Sequence, residues 1–380
     1  MTSRTGVEPG QTLAEVATPS LVIDLDRMDR NIATWQKIAT RNGKRFRPHV
    51  KTHKIPEIAL QQQAAGACGI AAAKPAELEP FVEAGCRDVV LAYPTVGADK
   101  WQRLARLARE AKVTVNVDGE LGVRGLSAAA TAAGVTVQVQ IEIDTGLNRC
   151  GLDLADHAGI RAFATLIGTL PGLELEGVTT HRGKFSERLA AMTNEQAGRE
   201  EGELLVEVAE RLRADGFSIR EVTAGGTISG RGVAEVPGIT ELRAGTYVFN
   251  DAMQVEFGAA GEHEVAAFIL ATVVSTRRPG WATVDGGSKT FSGDRAVVGT
   301  QIGKPAGIAC ALDIDATVMR ITEEHGMLEL GEGVSVEPGQ KLRFTPFHVC
   351  TAVNLCDELV GMRNGVVEKV WPVLARGKRT

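Results

Sequence analysis

The densest group of reactive side chains is Arg47-Pro-His49-Val-Lys51-Thr-His53-Lys54. On a strand, a period of two would put Arg47, His49, Lys51 and His53 on one face. Cations so close lower one another's pKa, which makes Lys51 easier to deprotonate, as an imine-forming lysine requires. A solvated basic edge strand is the plainer reading of the same run. A second group, Thr223-Ala-Gly225-Gly226-Thr227, follows a strand-like segment. Its glycines let backbone N–H groups approach an anion, and Thr227 adds a hydroxyl, so Gly225, Gly226 and Thr227 form a candidate phosphate cradle; a simple turn is the alternative. Third, His348-Val-Cys350 sets an imidazole and a thiol two residues apart, a spacing that lets both bind one metal from a strand face. The alternative is a buried histidine beside an inert thiol. His181 and Arg149 each follow a strand-like segment, LEGVTTH and IEIDTG.

These groups need a scaffold. From Pro19 to Gly245 short apolar runs alternate with helical patterns: LVIDL, RPHVK, GIAAA, DVVLAY, VTVNVD, VQVQIEID, LEGVTTH, REVTAGG and TELRAGTYVF, with a long helix expected between Glu187 and Asp215. Such alternation marks βα units around a parallel sheet, and the number of units suits a (β/α)8 TIM-type barrel, with a doubly wound open sheet as the other possibility. In a barrel, Lys51, Arg149, His181 and Gly225 would all lie at the strand C-termini, where barrel active sites are built. One strand reads Val135, Val137, Val139, Ile141 and Ile143 on one face and Thr136, Gln138, Gln140, Glu142 and Asp144 on the other. Its polar face suggests a barrel interior that is itself polar. After Val265 the segments become β-rich with Gly and Pro turns, and Arg363-Asn364-Gly365 carries an Asn-Gly hairpin signal. The expected division is a barrel over 17–260 and a C-terminal β-domain over 261–380.

Composition narrows the function. The 380 residues are 44% hydrophobic and 23% charged, values of an ordinary folded protein. A net charge of −5 leaves no basic surface for nucleic acid. The N-terminus lacks the apolar core of a signal peptide, and no apolar stretch is long enough to span a bilayer, so a cytoplasmic protein without a membrane partner is expected. Six cysteines without a CxxC pair are too dilute for a disulfide scaffold.

The ordered set TPSLVIDLDRMDRNI, RPHVKTHK, IEIDTGLNRCG, AGGT, ELRAGTYVFND, VDGGSK, EEHG, FHVCTAVNLCDELVG and WPVLARG covers nearly the whole chain. It resembles the D-threonine aldolase and D-serine dehydratase family, pyridoxal-phosphate enzymes with an alanine-racemase-like barrel and a β-domain. The resemblance implies that Lys51 carries the cofactor and that Arg149 lies near its phenolic oxygen. It further implies that Gly225, Gly226 and Thr227, helped by Gly245, Thr246 and Tyr247, hold the phosphate. His348 and Cys350 would bind a divalent metal, zinc being favoured by the thiolate over manganese or magnesium. The substrate would be a D-3-hydroxy amino acid and the assembly a homodimer.

Two reactions are then open: retro-aldol cleavage to glycine and an aldehyde, or dehydration to a 2-oxo acid and ammonia. VNLxDE and WPVxARG look like the aldolases, while His-Val-Cys and TTHRG look like the dehydratases. The extent of the match leans to aldolase. Aldolases carry a YHGxxQH-like segment; aligned on Gly183, this chain has His181 for its tyrosine and Glu187 for its last histidine. The base for the hydroxyl proton is therefore His181, Glu187 or a metal-bound hydroxide. A racemase of this fold needs a tyrosine from the β-domain, and none follows Tyr247. A non-catalytic pyridoxal-phosphate carrier would lack both the β-domain and the metal pair.

Overall fold

In the N-terminal half, parallel strands pair edge to edge, and this pairing builds a closed ring. The computed structural model describes residues 6–183, 187–294 and 307–380, with the Glu187 side chain outside the described set. The chain forms two compact units: one comprises 33–51, 56–245 and 377–380, the other 1–32, 52–55 and 246–376.

The first strand, β1 (Ser20–Asp24), belongs to the second unit. The barrel unit contains β2 (Arg45–Phe46), β3 (Ile70–Ala72), β4 (Asp88–Leu91), β5 (Lys112–Val117), β6 (Val137–Asp144), β7 (Leu152–Asp153), β8 (Leu173–Thr179), β9 (Glu221–Ala224) and β10 (Glu241–Leu242). They are hydrogen-bonded in the order β2-β10-β9-β8-β6-β5-β4-β3, with β7 attached to β6, and every pairing is parallel. The two ends of that path meet. His49 bridges Ala71 in parallel, Val50 N donates to Ala71 O at 2.8 Å, and Ala71 N donates to Pro48 O at 2.9 Å. The expected (β/α)8 barrel is thus present, closed through the irregular chain that follows β2.

Helices cover the outside of the ring, and local chemistry sets their ends. The helix Asn194–Ala214 starts at a capping box, Thr193 with Gln196. The helix Glu120–Ala133 stops at Gly134, whose φ of 66° is the left-handed conformation that a C-terminal glycine supplies. Val113, Val115, Val117, Val137, Val139, Ile141 and Ile143 are fully buried on the helix-facing side of β5 and β6. The opposite face of these strands carries Thr114, Asn116, Gln140 and Glu142, also buried. A register shift between Val139 and Gln140 opposite β8 lets Glu176 and then Thr179 both turn inward. The interior is therefore polar, as β6 alone had suggested.

The second unit pairs β1 with β11 (Ala267–Ser275), β12 (Trp281–Val284), β13 (Ala309–Ala311), β14 (Ala316–Ile321), β15 (Gly326–Leu330), β16 (Lys341–Pro346), β17 (Glu358–Arg363) and β18 (Val366–Pro372). The order is β12-β15-β14-β13-β16-β11-β1-β17-β18, and a further β12–β11 pairing closes β11 through β16 into a β-barrel. All pairings are antiparallel except β1 with β17. The β17–β18 turn has φ of 51° at Asn364 and 76° at Gly365, the two positive values of the turn foreseen there. The unit's border differs from the sequence reading. Residues 17–32 and 246–260, read as barrel, lie with the β-strands, because β1 supplies apolar Val22 to a cluster with Leu270, Val360, Met362 and Val367. That pairing across more than two hundred residues left no local trace in the sequence.

Candidate active site

In the barrel unit the chemistry begins where the chain leaves β2. The basic run is not a strand with four cations in line. After Phe46 the backbone makes one bridge at His49 and then turns through 50–53. Arg47 points away from the others: it is 3% exposed and its guanidinium meets Glu241 at 3.0 Å and Asp88 at 2.8 Å. Burial opposes that charge, but Glu241, Cys68 and Asp88 outweigh it and raise its pKa. His49 Nδ1 accepts from Lys51 N at 3.3 Å, and His53 Nδ1 accepts from Ile55 N at 3.1 Å, so both imidazoles fasten the turn that presents Lys51. The proline in the run and these side-chain bonds to backbone are what override the strand period.

His181, following β8, faces the same end of the barrel. Burial first, then the charges of Lys51, Arg149 and Arg243, push its pKa down to about 3, so the imidazole is neutral at physiological pH. Gly226, just beyond β9, approaches it so closely that a Cβ there would stand 3.0 Å from His181 Cε1. Gly225 has φ of 85°, and its N–H bonds back to the buried carboxyl of Glu201. This leaves a loop, Gly225-Gly226-Thr227, whose backbone can contact a ligand and whose space a side chain would fill. Arg149 lies after β6 with a half-exposed guanidinium 3.7 Å from Glu142. Asp144 steadies that loop by accepting the amides of Gly146, Leu147 and Asn148 at 2.8, 2.9 and 3.1 Å.

Beneath these residues lies a network that the sequence reading did not select. Arg243 is buried, donates to Thr179, and reaches Asn116 Oδ1 at 3.4 Å; Asn116 in turn donates to Glu142 at 3.2 Å. Arg243 and Glu142 both fall inside quoted motifs, ELRAGTY and IEIDTG, yet only the strand phase shows that they point inward.

The β-unit holds the other cluster. His348 does not lie on a strand: β16 ends at Pro346, and His348 is the residue before the helix Val349–Leu355, with Cys350 in its first turn. The two side chains nevertheless meet in a hydrogen bond. Burial pulls the His348 pKa down, but Cys350, Asp251 and Asp294 carry it up to about 9. Cys350 Sγ lies 3.2 Å from Thr52 Oγ1 and 3.8 Å from Thr246 Oγ1. Asp251 accepts the amides of Val349 and Gln254, both at 2.9 Å, and its pKa is pushed up to about 6 by burial against the pull of His348 and those amides. Tyr247 is fully buried in the short helix Thr246–Val248.

Donor chemistry fits both groups the resemblance implied. The barrel end offers an amine, cations and a glycine cradle to a phosphorylated aldehyde. Imidazole and thiol fit a borderline-soft divalent metal. Among the described residues no group of three or more His, Cys, Asp or Glu side chains could hold a metal, so the His348–Cys350 pair would leave coordination positions open. Glu187, the other candidate base, has its side chain outside the described residues.

The alanine racemase N-terminal domain description matches residues 23–252, and the putative serine dehydratase domain description matches 266–362. A D-threonine aldolase from an Arthrobacter species is 36% identical over 97% of this chain and 95% of its own. A D-threo-3-hydroxyaspartate dehydratase from a Delftia species is 33% identical over 89% of this chain and 92% of its own. Among solved structures, a cysteine-to-alanine variant of a D-threo-3-hydroxyaspartate dehydratase in the metal-free form superimposes with a TM-score of 0.87 at 30% identity, covering 96% of this chain and 99% of that one. Fold and site thus define a lyase built on the alanine-racemase barrel. The chain belongs to the D-threonine aldolase and D-serine dehydratase family of pyridoxal-phosphate enzymes.

Proposed function

We propose that this enzyme cleaves the Cα–Cβ bond of D-3-hydroxy amino acids to give glycine and an aldehyde, with pyridoxal phosphate carried on Lys51 and a divalent metal, zinc by preference, on His348 and Cys350. The observation that carries the proposal is the hydrogen-bonded His348–Cys350 pair at a helix start, in a chain whose barrel gathers Lys51, Arg149 and His181 at one end. Pyridoxal phosphate supplies an electron sink for the charge left on Cα when the bond breaks. The metal supplies a Lewis acid for the 3-hydroxyl.

Everything else falls to the protein's own groups. Lys51 holds the cofactor's aldehyde carbon, and the loop Gly225, Gly226 and Thr227 cradles its phosphate, the Gly225 N–H staying on Glu201 while the amides beyond it and the Thr227 hydroxyl face the ligand. Gly245, Thr246 and Tyr247, which follow Ala244, are assigned to the same phosphate on the family resemblance. Arg149, restrained by Glu142, offers its guanidinium to the phenolic oxygen. His181 has a free lone pair at neutral pH and is the residue proposed to take the hydroxyl proton. Burial, and after it the charges of Lys51, Arg149 and Arg243, make it a weak base. The six cysteines form no disulfide; a cytoplasmic location and a homodimeric assembly are proposed. No helix among the described residues is long and apolar enough to cross a membrane.

One observation favours dehydration as a second reading: the pair here is imidazole with thiol, and a cysteine variant of the related dehydratase is the metal-free form. The test of the shared assignment is direct. Lys51→Ala abolishes the visible absorbance of the bound cofactor, and metal chelation removes turnover until zinc is restored. A retained absorbance band in Lys51→Ala, or full turnover in metal-free enzyme, would refute it.

A further inference from the structure

Besides its thiol partner, His348 meets the carboxylate of Asp294. Its Oδ2 is 2.7 Å from His348 Nδ1. Thr351 Oγ1, one turn along the helix that His348 opens, lies 2.9 Å from the same carboxylate oxygen, 3.1 Å from Ser292 Oγ and 3.0 Å from His348 O. Asp294 N donates to Ser292 Oγ at 3.3 Å. Ser292 itself has φ of 66° with ψ of 179°, a conformation that glycine adopts freely and a serine does not. Holding a residue there is energetically unfavourable and is characteristic of functional sites. The contact it secures does not return that energy as stability, because the Asp294 and His348 side chains are 41% and 28% exposed and an ion pair so open to water contributes little. A backbone held against its preference for a contact of so little stability value indicates that the contact serves something other than folding.

A histidine that binds a metal through one ring nitrogen characteristically donates the other N–H to a carboxylate, which fixes its tautomer and raises its basicity. Resting on the metal reading of His348 and Cys350, we propose that Asp294 is a positioning residue for the metal pair. It accepts the Nδ1–H of His348, so that Nε2 is the nitrogen presented to the metal, and Thr351 and the strained Ser292 hold the carboxylate in place. Asp294 touches no metal in this arrangement and acts only through the imidazole.

The experiment measures zinc affinity of the full-length, cofactor-loaded protein by competition with a chromophoric chelator, with the cobalt–thiolate charge-transfer band as an independent signal. Asp294→Ala weakens zinc binding about 10- to 100-fold. Asp294→Asn, which keeps an acceptor for the Nδ1 proton, weakens it less. The melting temperature of the metal-free protein and the cofactor absorbance stay at the parent's values in both. His348→Ala separates the two layers of the argument. Loss of zinc in His348→Ala with parental affinity in both Asp294 variants overturns the positioning role alone. Parental affinity in His348→Ala overturns the metal pair, and the role of Asp294 with it. Should Asp294→Ala fail to fold, Asp294→Asn decides, parental affinity in that variant being the contrary result.

Discussion

Burial, and after it the charges of Lys51, Arg149 and Arg243, determine how the imidazole of His181 titrates. Its pKa near 3 follows from burial together with Lys51, Arg149 and Arg243. Removing one of those charges must let it rise, so Lys51→Ala is expected to shift the His181 ring titration upward, as read from its imidazole resonances by NMR. A ring that still resists protonation to the same pH would show that burial alone controls it. The linkage also has a sign. Between about pH 3 and 6.5 the unfolded chain binds a proton at this histidine that the folded protein refuses, so its contribution to stability rises with pH across that window and is lost as pH falls. Acid unfolding of the cofactor-free protein is expected to begin at lower pH in His181→Gln than in the parent. Unchanged acid unfolding would contradict this.

At the scale of elements, close backbone approach makes particular glycines irreplaceable. A Cβ at Gly177 would stand 1.9 Å from Glu221 O on the neighbouring strand β9, so Gly177→Ala must separate β8 from β9. Its cost is expected on the order of 3 kcal/mol, seen as a lowered denaturation midpoint. Gly226→Ala meets only the His181 ring, at 3.0 Å. It is expected to weaken pyridoxal-phosphate binding by about tenfold or more while leaving the midpoint of the cofactor-free protein near the parent's, a split that equilibrium titration of the visible band can check. Equal loss of stability in both variants would argue against a ligand role for the loop. These elements also show what could be read in advance. The barrel was legible because its apolar runs alternate with helical patterns, and the polar face of β6 announced a polar interior. The basic run was misread as a strand because His49 and His53 bond to nearby backbone, a local competition that periodicity does not register. His348 and Cys350 were found by spacing, yet they meet at a helix start rather than on a strand face. Asp294 left no trace at all: Ser-Gly-Asp reads as a loop, and only the strained fold of that loop brings the carboxylate to the imidazole.

For the whole molecule, the net charge of −5 argued against nucleic acid, and the pattern along the chain pointed to two kinds of architecture, a parallel barrel and an antiparallel β-unit. What neither composition nor pattern could supply is that the first strand joins the last part of the chain, a pairing decided by shape and burial over long range. The scarcity of tyrosine acts at this scale too. With Tyr247 buried in its short helix and no tyrosine after it, the β-unit has no second base of the kind a racemase uses, which favours a lyase. The central claim is the bond that breaks. Zinc-loaded enzyme incubated separately with D-threonine, D-serine and D-threo-3-hydroxyaspartate, followed by product identification, tests it most directly. The account predicts glycine together with an aldehyde; ammonia together with a 2-oxo acid, without glycine, would contradict it and make the protein a dehydratase.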